Sequence, residues 1–147
     1  MNRMRTMLFC PASQPKMFLN APVFHPDAIL FDLEDAVAFA EKDSARDLLC
    51  SAMEQLDFGK SLVFARINAL KTPFGEADVR AVVPAGVRNL RLAMCESPED
   101  VQRLAQLLPE SYYQQAATEI TLEQAPAYAA DFLSNNIHGR TLVNIGQ

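Results

Sequence analysis

Three acidic residues stand within four positions at the end of an apolar run. Ala28-Ile29-Leu30-Phe31 has the character of a buried β-strand, and Asp32, Glu34 and Asp35 follow directly after it. Close carboxylates at a strand end can bind a divalent cation or a substrate hydroxyl. A solvated acidic turn that caps the next helix would use the same residues. The pattern alone leaves both interpretations open.

An arginine follows the next apolar run along the chain. Arg66 comes after Leu62-Val63-Phe64-Ala65 and precedes Ile67 and Asn68. A guanidinium at a strand end can bind a carboxylate through two parallel hydrogen bonds, so Arg66 is a candidate for holding an acidic substrate. An ion pair with the neighbouring acidic segment is the structural alternative. The two roles are compatible, because an arginine held by one carboxylate can bind another.

The other candidate residues give weaker indications of a functional site. The first apolar run ends in Pro11-Ala12-Ser13, a polar turn at a strand end. Cys95, at the end of the fourth strand, could be a nucleophile, but no histidine is near it in sequence, so a buried thiol is expected. His25 and His138 lie in polar loops without paired ligands at metal spacing, so both are expected at the surface.

Alternating strands and helices must position these residues. Four βα units are predicted between residues 7 and 108. The strands are Met7–Cys10, Asp27–Leu33, Ser61–Ile67 and Asn89–Met94, and the helices Ser13–Asn20, Ala45–Leu56, Glu76–Val83 and Ser97–Leu108. Repeated βα units with near-continuous apolar strands indicate an α/β fold with a parallel sheet, either doubly wound or a barrel. No glycine-rich loop follows a strand, which disfavours a nucleotide-binding sheet.

The last of these helices has the clearest start signal. Ser97 can cap it, Pro98 takes the first helical position and Asp100 has capping-box spacing. Its expected buried face is Val101, Leu104, Ala105 and Leu108. Residues 110–147 then differ in character and predict a short β-α-β tail, with strands over Ala116–Leu122 and Thr141–Ile145.

Composition narrows the class of protein. The 147 residues are half apolar and 21% charged, typical of a globular domain with its own core. The net charge of −5, without a run of Lys and Arg, disfavours binding to nucleic acid or an anionic membrane. No apolar stretch is long enough to span a bilayer, and Pro11 interrupts the only leader-like segment. Three widely spaced cysteines suit a reducing cytoplasm.

Several motifs occur in order along the front of the chain. The motifs are Met7-Leu8-Phe9-Cys10-Pro11-Ala12, Phe31-Asp32-Leu33-Glu34-Asp35-Ala36-Val37, Lys42 with Ala45-Arg46, Arg66-Ile67-Asn68, and Thr72-Pro73-Phe74-Gly75 with Asp78. Over about residues 4–106 they resemble the citrate lyase beta subunit, within the HpcH/HpaI aldolase/citrate lyase family. This resemblance implies the N-terminal half of a TIM barrel.

The resemblance also implies a chemistry. The family cleaves (3S)-citryl-CoA to acetyl-CoA and oxaloacetate, or handles related malyl-type thioesters, with Mg²⁺. By resemblance, Arg66 binds a substrate carboxylate, Asp35 belongs to the substrate or metal shell, and Pro11-Ala12-Ser13 lies near the CoA moiety. Other lyase subunits or further copies of the chain are the implied partners.

The chain departs from the family pattern in two places. Met94 stands where the family usually has a lysine at the end of its fourth strand. The family's two Mg²⁺-ligating acids come from later strands, which have no counterpart here, so no metal ligand is assigned. A barrel needs eight strands, and four are predicted before residue 108. A truncated lyase with impaired activity is therefore expected.

The tail resembles a different protein class. Segments such as Glu119–Pro126 and Gly139–Val143 are similar to the C-terminus of acrylyl-CoA reductase-type quinone oxidoreductases. We therefore expect a junction near Leu104–Pro109, with a partial barrel over 1–108 and a tail over 109–147. Two alternatives to a lyase follow: a non-catalytic half barrel that self-associates or docks on an intact subunit, and a remnant of an NADPH-dependent oxidoreductase.

Overall fold

The computed structural model describes residues 4–133 and 140–144, in which two compact units divide between Leu108 and Pro109. In the first unit, four strands alternate with four helices, as the sequence predicts. They are β1 Met7–Pro11, α1 Pro15–Asn20, β2 Ala28–Asp32, α2 Lys42–Gln55, β3 Leu62–Ile67, α3 Gly75–Val82, β4 Asn89–Leu92 and α4 Pro98–Leu107. Short 3-10 turns at Ala21–Phe24 and Phe39–Glu41 precede β2 and α2.

The four strands form one parallel sheet in the order β1-β2-β3-β4. Each strand pairs with the next one along the chain, and the order never reverses. A doubly wound sheet reverses its strand order at the switch point, whereas a barrel keeps its strands sequential. The observed order therefore favours the barrel of the two architectures that the pattern left open.

The two faces of this sheet have different neighbours. Phe31 on β2 stacks on Phe18 of α1 with ring centroids 4.4 Å apart, and meets Phe58 edge-on at 5.4 Å. Side chains alternate along a strand, so Asp32 projects from the opposite face to Phe31. Arg66 is in register with Asp32 and shares its face. Apolar packing against α1 thus uses one face, and the charged pair uses the other.

Two expectations about the fourth βα unit are wrong. Cys95 lies beyond the end of β4 and is exposed, not buried. Helix α4 has the predicted capping box, in which the Ser97 side chain accepts from the Asp100 N–H, yet none of its residues is buried. Val101 is 55% exposed. Capping depends only on local residues, whereas burial needs a neighbouring element, and the described neighbours of α4 leave its apolar stripe at the surface.

The second unit contains the predicted β-α-β tail. Strands β5 (Ala117–Thr121) and β6 (Arg140–Asn144) pair in parallel, with α6 (Ala125–Leu133) between them. Helix α5 (Glu110–Ala116), which precedes β5, was not predicted. No helix among the described residues is long and apolar enough to cross a membrane. Of the two histidines, His25 is exposed as predicted, and His138 lies outside the described residues.

Candidate functional site

A buried aspartate holds Arg66 at the C-terminal end of the sheet. Asp32 and Arg66 are register partners at the ends of β2 and β3, which places both side chains at one edge. Arg66 Nε donates to Asp32 Oδ1 at 2.7 Å, and Arg66 Nη2 donates to Asp32 Oδ2. The Asp32 side chain is 4% exposed and that of Arg66 is 22% exposed. This two-point pairing fixes the orientation of the guanidinium.

The pair shifts the ionisation of both partners. Burial raises the pKa of the Asp32 carboxyl, but the Arg66 guanidinium and the backbone N–H groups of Glu34 and Ala36 outweigh it, and the net pKa lies below the usual range. Hydrogen bonding to Asp32 raises the pKa of Arg66, against the effect of burial. Both groups are therefore charged at neutral pH, and Arg66 is a permanent cation at the end of the sheet.

The two other acids of the cluster lie in the turn after β2 and differ in their contact with Arg66. Glu34 Oε2 is 3.4 Å from Arg66 Nη1, an ion pair with the edge of the guanidinium that Asp32 does not use. Asp35 is exposed, and within residues 4–133 no hydrogen bond or ion pair is assigned to it. Its charge still acts on Arg66 and contributes to the raised pKa.

A buried lysine fixes the backbone of this acidic turn. Lys42, at the start of α2, donates from Nζ to the carbonyl oxygens of Leu33 at 2.8 Å and Glu34 at 2.6 Å. Its third bond goes to Asn68 Oδ1 at 2.8 Å. Asn68 in turn donates from Nδ2 to the Leu33 carbonyl at 2.9 Å. The turn is therefore tied both to α2 and to the end of β3.

The same network continues into helix α3. Asp78 is fully buried and accepts hydrogen bonds from Asn68 N and Nδ2 on Oδ2, and from Arg46 Nε on Oδ1. Helix α3 approaches the chain after β3 closely: a Cβ on Gly75 would lie 2.5 Å from the carbonyl oxygen of Ala69. Only glycine permits this approach, which brings Asp78 within reach of Asn68.

The turn after β1 adjoins the acidic residue of the next strand. Pro11 is in register with Asp32, and the Ala12 N–H donates to the Asp32 carbonyl at 2.9 Å. Ala12 is buried, while Pro11 and Ser13 are partly exposed. The three strand ends that the sequence singled out therefore meet at one edge of the sheet.

The described residues do not by themselves fit a metal ion. No group of three or more His, Cys, Asp or Glu side chains in the described part of the chain is arranged to hold one. The carboxylate of Asp32 is occupied by Arg66 and two backbone N–H groups. Met94, in the place of the family lysine, has a left-handed backbone (φ +50°) and an exposed side chain. Among the described residues, no set of side chains is therefore arranged to hold Mg²⁺.

The sequence interpretation gave no role to the buried network of Lys42, Arg46, Asn68 and Asp78. These residues appeared only as parts of motifs. A usable signal exists on α2: Lys42 and Arg46 extend the stripe that Ala45 and Leu49 define, and all four are buried. Charged residues on the apolar stripe of a helix predict buried polar partners.

Comparison with known proteins identifies relatives of the chain. Residues 5–133 match the family model described as HpcH/HpaI aldolase/citrate lyase. Citrate lyase subunit beta of Leuconostoc mesenteroides subsp. cremoris is 44% identical over 107 residues, 73% of this chain and 35% of that protein. A (3S)-malyl-CoA thioesterase of Cereibacter sphaeroides is 38% identical over 106 residues, 72% of this chain and 37% of the relative. The chain thus spans about a third of the length of these relatives.

A solved structure matches almost the whole chain. Protein CitE from Mycobacterium tuberculosis, in complex with magnesium, acetoacetate and coenzyme A, aligns with a TM-score of 0.61 and 26% identity. The match covers 97% of this chain and 49% of that chain. The predicted barrel-type α/β fold is thereby confirmed for the matched part. Both matches pass the predicted junction near residue 108, and the likeness of the tail to quinone oxidoreductases stays a prediction.

Proposed function

The chain belongs to the HpcH/HpaI aldolase/citrate lyase family, and from that premise we propose that it serves carbon–carbon bond cleavage of an acyl-CoA. The substrate class is citryl-CoA or a related malyl-type thioester, in keeping with the relatives named citrate lyase subunit beta and (3S)-malyl-CoA thioesterase. The family's lyase activity would belong to a site larger than the residues described for this chain.

The observation that carries the proposal is the way Arg66 is held. Asp32 takes Nε and one side of Nη2, which leaves Nη1 directed towards Glu34 at the partly exposed end of the site. A guanidinium oriented in this way can bind the carboxylate of an acidic substrate through its outer edge. We assign Arg66 to substrate binding and to the stabilisation of negative charge during cleavage.

The remaining roles follow from position. Cleavage of citryl-CoA breaks a carbon–carbon bond: the alcohol loses its proton and becomes the carbonyl of oxaloacetate, and the bonding electrons pass to an acetyl-CoA enolate that is then protonated. Asp35, exposed in the turn after β2, is the carboxylate that we assign to the substrate hydroxyl or the metal shell. Pro11, Ala12 and Ser13 are assigned to the side where CoA enters.

Ligand binding and turnover test the proposal together. We expect oxaloacetate to bind the chain and Arg66→Lys to weaken binding by about tenfold, because lysine cannot form the same two-point pairing. Exposed Arg80→Lys is the matched control, since Arg80 pairs only with Glu76 among its described contacts. Turnover is measured with citryl-CoA and Mg²⁺ through the release of oxaloacetate, and we expect it to be slow. Equal binding by the wild type and Arg66→Lys would remove the assignment.

A second candidate is a non-catalytic chain that associates with another barrel segment. Phe9 and Leu62 are register partners of residues on the Arg66 face, and their side chains are 46% and 41% exposed. Exposed large apolar residues on one sheet face favour association. Light scattering during size-exclusion chromatography at two concentrations distinguishes this candidate. A monomer at both concentrations would count against it.

A further inference from the structure

Arg66 contacts two acids in two different ways, and the difference suggests a function for the second acid. We infer that Glu34 controls access of anions to Arg66: its carboxylate occupies the outer Nη1 edge of the guanidinium, and a ligand carboxylate must displace it. This inference rests on the proposed function, because it concerns the carboxylate site assigned to Arg66. It adds a specificity-determining residue to that site.

The hydrogen-bond donors of the guanidinium show which edge a ligand can use. Nε and Nη2 donate to the two oxygens of Asp32, whose side chain is 4% exposed. Glu34 Oε2 stands 3.4 Å from Nη1, longer than a good N–H···O hydrogen bond, and its side chain is 22% exposed. Asp32 is therefore fixed and shielded, while Glu34 is held loosely on the side that solvent reaches. An anion that approaches Nη1 therefore encounters the Glu34 carboxylate.

Displacement of Glu34 requires a side-chain rotation and no movement of the turn. The Glu34 N–H donates to Asp32 Oδ1 at 2.9 Å, and the Glu34 carbonyl accepts from Lys42 Nζ at 2.6 Å. These bonds hold the backbone on both sides of the Cα atom. The carboxylate can leave Nη1 by rotation about its own side-chain bonds while the bidentate Asp32–Arg66 pair stays intact.

The local charge explains why the displacement matters for affinity. Asp32, Glu34 and Asp35 all contribute negative charge around Arg66. A carboxylate that approaches Nη1 while Glu34 is in place meets a like charge at contact distance, which disfavours binding. Asp35 repels the same ligand only from a distance, since no contact joins it to Arg66 in the described structure. Removing the charge of Glu34 should therefore strengthen ligand binding more than removing the charge of Asp35.

The test measures the dissociation constant of oxaloacetate by calorimetry on the full 147-residue chain, with EDTA present so that no divalent cation binds Glu34. The variants are Glu34→Gln, Asp35→Asn and Glu54→Gln. Glu54 is exposed near the far end of α2 and provides the same change in net charge away from the site. Thermal unfolding of each variant shows that the fold is intact.

We expect Glu34→Gln to bind oxaloacetate about twofold to fivefold more tightly than the wild type, the range of a partly exposed ion pair. Asp35→Asn should tighten binding by a smaller factor than Glu34→Gln, and Glu54→Gln should match the wild type. Unchanged or weaker binding by Glu34→Gln, or an equal gain in Asp35→Asn, would overturn the inference. If Arg66→Lys loses affinity in the same series, the proposed function survives that result; if no variant binds oxaloacetate, both fail.

Discussion

Two arginines in this unit each pair with one buried and one more exposed acid, yet they lie in different surroundings. Arg46 contacts Asp78, 1% exposed, and Asp43, 81% exposed. Arg66 contacts Asp32, 4% exposed, and Glu34, 22% exposed. Both combinations are an arginine between two carboxylates, so residue type alone does not separate them.

The two pairs differ in the other contacts of the buried aspartate and in the position of the guanidinium. Asp78 is shared with Asn68, and Arg46 Nη2 is buried without a hydrogen-bond partner among the described residues. The Arg46 side chain is 11% exposed, against 22% for Arg66, so it offers less of its guanidinium to a ligand. Arg66 lies at the end of its strand, with its outer edge next to the partly exposed Glu34. The first arrangement joins helices, and the second is available for binding.

The largest loss of stability is expected when Asp78, the buried acid that pairs with Arg46, is replaced. Asp78→Asn leaves Arg46 without its buried anionic partner, and we expect the free energy of unfolding to fall by about 3–5 kcal/mol. Asp43→Asn removes the exposed partner of the same arginine and should cost less than about 1 kcal/mol. Urea denaturation at pH 7 measures both. Similar losses in the two variants would show that burial does not separate the two contacts.

A somewhat smaller loss of stability is expected at Lys42, which connects the surroundings of Arg66 with those of Arg46. Lys42→Met removes the donor to the Glu34 carbonyl and to Asn68, and should lower stability by about 2 kcal/mol, since buried acceptors lose their partner. Faster amide exchange of Ala36 and Glu34, measured by NMR, should accompany it. Lys60→Met changes an exposed lysine and serves as the control. Unchanged exchange in the turn would contradict the assigned link.

The stability that the pair of Asp32 and Arg66 contributes should depend on pH. Asp32→Asn is expected to cost about 2 kcal/mol at pH 7, where the Asp32 carboxylate is hydrogen-bonded to Arg66. Because the pKa of Asp32 is lowered in the folded protein, its stabilisation is present above the unfolded pKa of about 3.9 and is lost as pH falls through the lower folded value.

Urea denaturation of the wild type and Asp32→Asn at pH 7, 5 and 3 measures this response. The difference in stability between the two proteins should persist at pH 5 and shrink at pH 3 and below. The exposed Asp47→Asn variant controls for general effects of losing a carboxylate. A difference that grows as the pH falls would have the wrong sign for a lowered pKa.

The smallest loss of stability is expected in α4, which contains neither of the two arginine pairs. Ser97→Ala removes the capping bond to the Asp100 N–H, worth about 1 kcal/mol. Since no residue of α4 is buried, the loss should appear as faster amide exchange within the helix, with little change in global unfolding. Ser51→Ala, at an exposed position on α2, is the control. A large global loss would mean that α4 is coupled to the core.

Local signals explain how far the sequence analysis reached. The apolar runs and the Ser97 capping box depend on neighbours in sequence, so the strands and α4 were predicted close to their observed bounds. The same reasoning predicted that Arg66 and the acidic turn would meet, because parallel strands end at one edge. It missed that Lys42 and Arg46 are buried on α2, since their partners Asn68 and Asp78 lie 26 and 32 residues away in sequence.

The sequence by itself determined the alternation of strands and helices, the polar strand ends and the family. The tertiary structure decided which acid binds Arg66. Asp32, Glu34 and Asp35 are chemically alike and nearly adjacent, and only the strand register aligns Asp32 with Arg66 while the turn directs Glu34 to its outer edge. Burial then distinguishes the roles of the two arginines. A charge pair enclosed by helices stabilises the fold, whereas a charge pair at a strand end can exchange one partner for a ligand.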